Sequence, residues 1–318
     1  MAIYLSIDSG GSKVKIIAYD ENFKPILRCC GGSLRINSTP KDVWQTHLDD
    51  ILSQLSPIHG KPIDQISGEL GSGGIADHIA KICPVGEIRS VGEAGSGFAA
   101  ACINGDALLA LSGTGCTFSA RKNGKRTSFG GYGAVVDDSG SGYHVGRSAF
   151  KAAIACYEGR GPHTALVDMI CEKFGHADLR SAIFSIYRQQ EIAPIAMVAK
   201  CSRLVSAAAE KDDVVALDIL KQEGRFVAER AVALHRKVGL AQDDPITISG
   251  GNWHAHHTFF DSFASAVKEE LPKAAIILPL VEPVVGPIFL HAAHTLGCSL
   301  AEAATALLPY YKEEEFIL

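Results

Sequence analysis

A chain of 318 residues that is 47% hydrophobic, 20% charged and 7% aromatic has the balance of a globular protein and exceeds the comfortable size of one core. Two domains are therefore expected, and a disordered chain is excluded. With 30 Lys and Arg against 35 Asp and Glu, the formal charge is -5 and no polybasic tract occurs, which argues against nucleic acid as a partner.

The opening MAIYLSIDSGG lacks the basic region, apolar stretch and cleavage site of a secretory signal, so a cytoplasmic location is expected. No uncharged apolar run reaches the roughly 20 residues of a membrane-spanning helix, so no membrane role is expected. The 9 cysteines are never spaced as CxxC, and only Cys29 and Cys30 are adjacent. Reduced, packed thiols are the simplest expectation.

In chain order, Ile3 to Ile7 and Val14 to Tyr19 read as strands around Gly10 and Gly11, which makes the opening a β-hairpin. An extended segment from Pro25 to Cys30 follows. A helix is predicted over 41–55, with Pro40 suited to its start and Trp44, Leu48, Ile51, Leu52 and Leu55 in an apolar stripe. Strands are predicted at Ile66 to Leu70 and Glu87 to Val91, then a small-residue helix from Ala94 to Cys102. At Gly105 the pattern restarts: Ala107 to Leu111, Cys116 to Arg121 and Lys125 to Phe129 repeat the strand, glycine turn, strand opening, which hints at an internal duplication. Helices are predicted near 139–157, 163–174, 178–189, 195–209 and 213–238. A strand from Pro245 to Ser249, a helix over 254–271, a strand from Ala275 to Leu278 and two terminal helices complete the order.

The turns carry the functional signal. Backbone N–H groups can converge on phosphate oxygens only where no β-carbon blocks the approach. Ser9, Gly10, Gly11 and Ser12 meet that demand directly after Asp8, whose carboxylate can hold a magnesium ion, and Ser112, Gly113, Thr114 and Gly115 meet it again. Either turn alone is more often an ordinary tight hairpin. A third cluster, Ser249 to Asn252, follows a strand and precedes a helix, where backbone can lie flat on a nucleoside or simply turn. Neither GxxxxGK[ST] nor GxGxxG occurs.

These clusters, with GGYGAVVDDSGSGYHVGR (Gly130 to Arg147) between the second and third, resemble the actin, hsp70 and sugar-kinase superfamily. Within it the chain is most similar to the N-acetylglucosamine kinase group, related to the BadF-type ATPases. The resemblance implies an α/β fold of two RNase-H-like (actin-like ATPase) domains with an interdomain cleft, residues 1–104 plus 297–318 forming one and 105–296 the other. It implies ATP and Mg2+ as cofactors and phosphorylation of an amino-sugar hydroxyl, most simply N-acetylglucosamine to its 6-phosphate. Glucosamine or N-acetylmuramic acid kinase, a BadF-type ATPase activator and a non-catalytic sensor are the alternatives, and a homodimer is a further expectation.

Carried over by motif, Asp8 serves magnesium, Gly10, Gly11 and Ser12 the first phosphate turn, Ser112 to Gly115 the second, and Gly250 and Gly251 the adenosine segment. Asn37 of GSLRIN, Gly131, Tyr132 and Asp138 fall on sugar-binding positions. The catalytic aspartate of the resemblance falls on Glu93, which is either the base or an acid in a helix's first turn. The family's GDEGS is DDSGS here, with Asp137 and Ser139 as the changed residues, and its glycine near Lys211 to Asp213 is absent. If Ser33 to Asn37 is extended, Arg35 shares a face with Asn37, which suits an anionic sugar substituent or a solvated arginine. The histidines near 254–257 and at 291 and 294 read as polar helix faces rather than a zinc site.

Overall fold

Leu5 and Ile7 alternate with Ser6 along a short apolar run, the period of a strand covered on both faces. The computed structural model, which describes residues 1–36, 39–188 and 194–318, carries this run as β1 (Tyr4–Ser9). The hairpin closes with β2 (Lys13–Tyr19), followed by β3 (Pro25–Gly32), α1 (Lys41–Gln54), β4 (Ile63–Glu69), α2 (Ile75–Ile79), β5 (Val85–Ser90) and α3 (Gly92–Ala100). The sheet order is β3-β2-β1-β4-β5, antiparallel through β3, β2 and β1 and parallel from β1 through β4 to β5.

The pattern then repeats. Strands β6 (Ala107–Ser112), β7 (Cys116–Lys122) and β8 (Lys125–Gly130) form an antiparallel meander. Six helices follow among the described residues: α4 (Gly142–Tyr157), α5 (Leu166–Phe174), α6 (Leu179–Arg188), α7 (Pro194–Lys200), α8 (Ser202–Ala209) and α9 (Val214–Val238). Then come β9 (Ile246–Ser249), which pairs parallel with β6, α10 (Thr258–Glu270) and the short β10 (Ile276–Ile277). The second sheet runs β10-β9-β6-β7-β8, the same order as the first when read in the opposite direction, so the duplication hinted at by the two glycine turns is present in the topology. The chain ends with α11 (Gly286–Leu296) and α12 (Leu300–Leu307).

The chain forms two compact units, Met1–Gly105 with Ile277–Ile317, and Asp106–Ile276. The return to the first unit therefore comes about twenty residues before the expected 297. Packing explains the correction: Ile288, Phe289 and Ala292 of α11 share a core with Ile17, Tyr19, Ala99 and Ala100, and a β-carbon at Gly286 would lie 2.2 Å from Ser96 O on α3. The opposite face of the first sheet buries Leu5, Ile7, Val14 and Ile16 against Leu48 and Ile51 of α1. Side chains from one strand thus feed two cores, as alternation requires.

Two further expectations need correcting. Helix α2 went unrecognised because its five residues are too short for periodicity, and the helix over 195–209 is two helices meeting at Cys201. Among the described residues no single helix is long and apolar enough to cross a membrane. Helix α9 begins at the N-cap Asp213, whose side chain accepts from Ala216 N–H, and packs along α10. Gly224 lets them meet, since a β-carbon there would lie 2.4 Å from Phe259 O. Gly224→Ala is expected to cost about 1–3 kcal/mol through overpacking, read as a lower thermal midpoint. An unchanged midpoint would show that the helices part without strain.

Candidate active site

In the first unit, β1 delivers Asp8 to its carboxyl end, where the register sets it beside Lys15 on β2 and Glu69 on β4. The turn that follows is closed by Gly10 N–H donating to Lys13 O at 3.0 Å. Glu282, before α11, lies 3.4 Å from Lys15 Nζ and 3.8 Å from Lys13 Nζ. Asp8 is half-buried, and burial, aided by the Glu282 and Glu69 carboxylates and opposed by the two lysines, pushes its carboxyl up to about 6. A carboxylate with this deficit of positive charge, at the mouth of a glycine turn, fits a divalent cation in the donor chemistry that oxygen-loving cations require.

Glu93 stands in the first turn of α3, and Gly92 makes the turn from β5 by adopting a φ of +76°. Its carboxylate lies 3.9 Å from Arg35 Nη2. Burial pushes Glu93 up to about 6, with Arg35 opposing and the Glu69 and Asp8 carboxylates adding to the rise. A helix N-terminus favours the charged form, but desolvation and two neighbouring acids outweigh that effect here, because a helix end is worth at most about 1–2 kcal/mol. Asp8, Glu69, Glu93 and Arg35 thus share one electrostatic neighbourhood. Glu69 and Glu282 were missed in the sequence; an acid at the carboxyl end of β4 was the available signal for Glu69, and Glu282 had none. Asn37 lies outside the described residues.

In the second unit, three segments converge. Ser112 is fully buried at the end of β6, and its Oγ donates to Gly140 O at 2.6 Å while accepting from Asn252 Nδ2 at 3.1 Å. Gly113 N–H donates to Gly115 O at 2.9 Å, closing the turn, and Gly142 N–H donates to Gly113 O at 2.7 Å. Gly250 adopts a φ of +103°, and a β-carbon there would lie 2.4 Å from Ser112 O. Ser112 to Gly115, the 138–142 loop and Ser249 to Asn252 therefore form one layer of backbone.

Asp138 is buried at 5% exposure, and its Oδ1 accepts from Cys116 N–H at 3.2 Å. Burial raises its pKa above the usual carboxylate value. It braces the β6–β7 turn, a role in turn geometry that stands beside the sugar-binding role expected for it. Asp137 is paired with Arg230 of α9, and although burial opposes this, the guanidinium holds its carboxyl below the usual range. Gly131 adopts a φ of +71° with its N–H on Cys116 O, and Tyr132 is exposed. Arg230 and Glu223 had no sequence signal, because nothing in a long amphipathic helix marks which turn meets a distant loop.

The described residues contain no group of three or more His, Cys, Asp or Glu placed to hold a metal ion, and all 9 cysteines are free thiols. Burial pushes the Cys116 thiol far up, which leaves it a poor nucleophile or ligand. His291, expected on a polar face, is half-buried among Tyr4, Tyr19 and Phe23, with Nδ1 3.0 Å from Tyr19 Oη, and burial lowers its pKa.

An N-acetylmuramic acid/N-acetylglucosamine kinase of Clostridium acetobutylicum is 28% identical over 299 residues, 87% of this chain and 94% of that one. An N-acetyl-D-glucosamine kinase of Dictyostelium discoideum is 22% identical over 313 residues, 91% of this chain and 97% of its own. A solved structure of a candidate N-acetylglucosamine kinase from Chromobacterium violaceum matches with a TM-score of 0.67 at 19% identity, covering 91% of this chain and 99% of that one, which shows the α/β fold of two actin-like ATPase domains. The sequence pattern of one ATPase family runs across both sheets, from residue 5 to residue 290, and the chain belongs to that family, the BadF/BadG/BcrA/BcrD ATPases.

Proposed function

We propose that the protein is an ATP-dependent kinase that phosphorylates a hydroxyl of an amino sugar, most simply the 6-hydroxyl of N-acetylglucosamine. The observation that carries this is the placement of Glu93, a carboxylate in the first turn of α3 within the field of Asp8 and Glu69. The names of the relatives from Clostridium acetobutylicum and Dictyostelium discoideum support the substrate class.

Phosphoryl transfer asks for in-line positioning, neutralisation of charge and an acceptor for the hydroxyl proton. Glu93 takes the proton as the sugar oxygen forms its bond to the γ-phosphorus, and the bond from that phosphorus to the bridging oxygen breaks to release ADP. Gly10 to Ser12 and Ser112 to Gly115 hold the phosphates, and Gly250 and Gly251 lie along the adenosine. Asp8 would hold Mg2+, which would supply charge neutralisation on the phosphates. Asn37, Gly131, Tyr132 and Asp138 hold sugar hydroxyls.

Arg35 supports a second acceptor. It is partly exposed as well as paired with Glu93, and a guanidinium beside the base suits a sugar carrying a carboxylate, as the name of the Clostridium acetobutylicum relative also suggests. A coupled ADP-release assay over N-acetylglucosamine, glucosamine and N-acetylmuramic acid tests both readings. No ADP release above the sugar-free rate with any of them would overturn the kinase assignment.

The ion pair gives a pH prediction. A base raised to about 6 must be ionised to act, so kcat/KM for the sugar should fall as pH drops through about 6. Because Arg35 holds that pKa down, Arg35→Ala should move the acidic limb to higher pH. A limb unmoved in the variant would separate Arg35 from the base.

A further inference from the structure

Helix α9 turns one face toward the 137–142 loop. Arg230 pairs with Asp137, Val227 fills the space beside Gly140, where a β-carbon would lie 2.3 Å from its Cγ2, and Glu223 is buried at 1% exposure. Glu223 is an acid that no step of phosphoryl transfer uses. Burying a carboxylate is costly unless donors surround it. Here it accepts from Gly140 N–H at 2.9 Å and Ser148 Oγ at 3.1 Å, and lies 2.7 Å from His144 Nδ1.

Gly140 makes this cluster more than a core feature. Its N–H is held by Glu223, while its carbonyl accepts from Ser112 Oγ at 2.6 Å and from Asn252 Nδ2 at 3.3 Å. One residue therefore links the buried acid to the Ser112–Gly115 turn and to the Gly250–Asn252 segment. Two residues on, Gly142 N–H holds Gly113 O. A shift of Gly140 moves the Ser112 turn through the 2.6 Å bond to Ser112 Oγ, and more weakly the Asn252 segment through the longer contact.

We propose that Glu223 is a positioning residue for the nucleotide: through Gly140 and Ser112 it sets the aim of the backbone groups that meet the ATP phosphates. The proposal rests on the assignment of the Ser112–Gly115 turn to those phosphates. Glutamine at 223 keeps the shape but puts an N–H2 where one donor already points, so one bond of the set is lost; alanine loses all three.

The test is steady-state kinetics of the full chain with MgATP and the amino sugar found active, for Glu223→Ala, Glu223→Gln and Thr114→Val. Glu223→Ala should raise the KM for ATP about 10- to 100-fold, with the sugar KM unchanged and Glu223→Gln intermediate. Glu223→Gln, which preserves volume, keeps the test open if the alanine variant does not fold. A raised ATP KM in Thr114→Val with normal ATP KM in folded Glu223→Gln and Glu223→Ala overturns the positioning role and leaves the phosphate assignment standing. An unchanged ATP KM in Thr114→Val together with unchanged values in both folded Glu223 variants overturns the phosphate assignment and the proposal with it. Loss of kcat in proportion to the folded fraction, with both KM values unchanged, makes Glu223 a core residue only.

Discussion

Glu93→Gln should lower kcat for sugar phosphorylation by about 10²- to 10⁴-fold and leave the KM for ATP at its wild-type value. The glutamine is isosteric and keeps the first turn of α3 intact, so the loss isolates the proton acceptor. The measurement is turnover against ADP release at saturating sugar, with ATP affinity taken separately by calorimetry. A turnover number equal to wild type would remove Glu93 from the mechanism. A loss confined to the sugar KM would make it a binding residue instead.

Asp8→Asn should abolish most Mg2+-dependent turnover while making the ligand-free protein more stable at neutral pH. The sign follows from the shift. Asp8 rises from 3.8 to about 6, so the fold favours its protonated form. The associated stability is fully present below the unfolded pKa and is lost as pH rises through about 6. At pH 8 the ionised wild-type carboxylate therefore costs about 3 kcal/mol that asparagine does not. The expected pair of results is a higher thermal midpoint for Asp8→Asn at pH 8, nearly equal midpoints at pH 4, and a Mg2+ titration that no longer shifts the midpoint. A variant less stable than wild type at pH 8 would mean that the acid is satisfied by its lysine neighbours and needs no cation.

Much of the fold was legible because it rests on local signals. Both hairpins announced themselves through β-rich runs around glycine, and α1 through Trp44, Leu48, Ile51 and Leu55 at helical spacing. Where periodicity had too few residues to register, as in the five of α2, or ran on through a break, as at Cys201, the elements were missed or merged. The domain return was misplaced because α11 has no local mark of the sheet it covers; its membership is decided by Gly286 against Ser96 and by Phe289 in the first unit's core.

The candidate site divides along the same line. Asp8, the two glycine turns and the Ser249–Asn252 segment are contiguous stretches whose chemistry is written in residue type and order, so sequence sufficed to single them out. Arg35 beside Glu93, Glu69 beside Asp8, and Glu223 beneath Gly140 are pairs separated by tens of residues, and no local pattern joins them. Charges interact through space and not along the chain. The elevated pKa values of Asp8 and Glu93, and the hydrogen bonds that aim the second turn, were therefore decided only when strand register and helix packing brought those groups within a few ångströms.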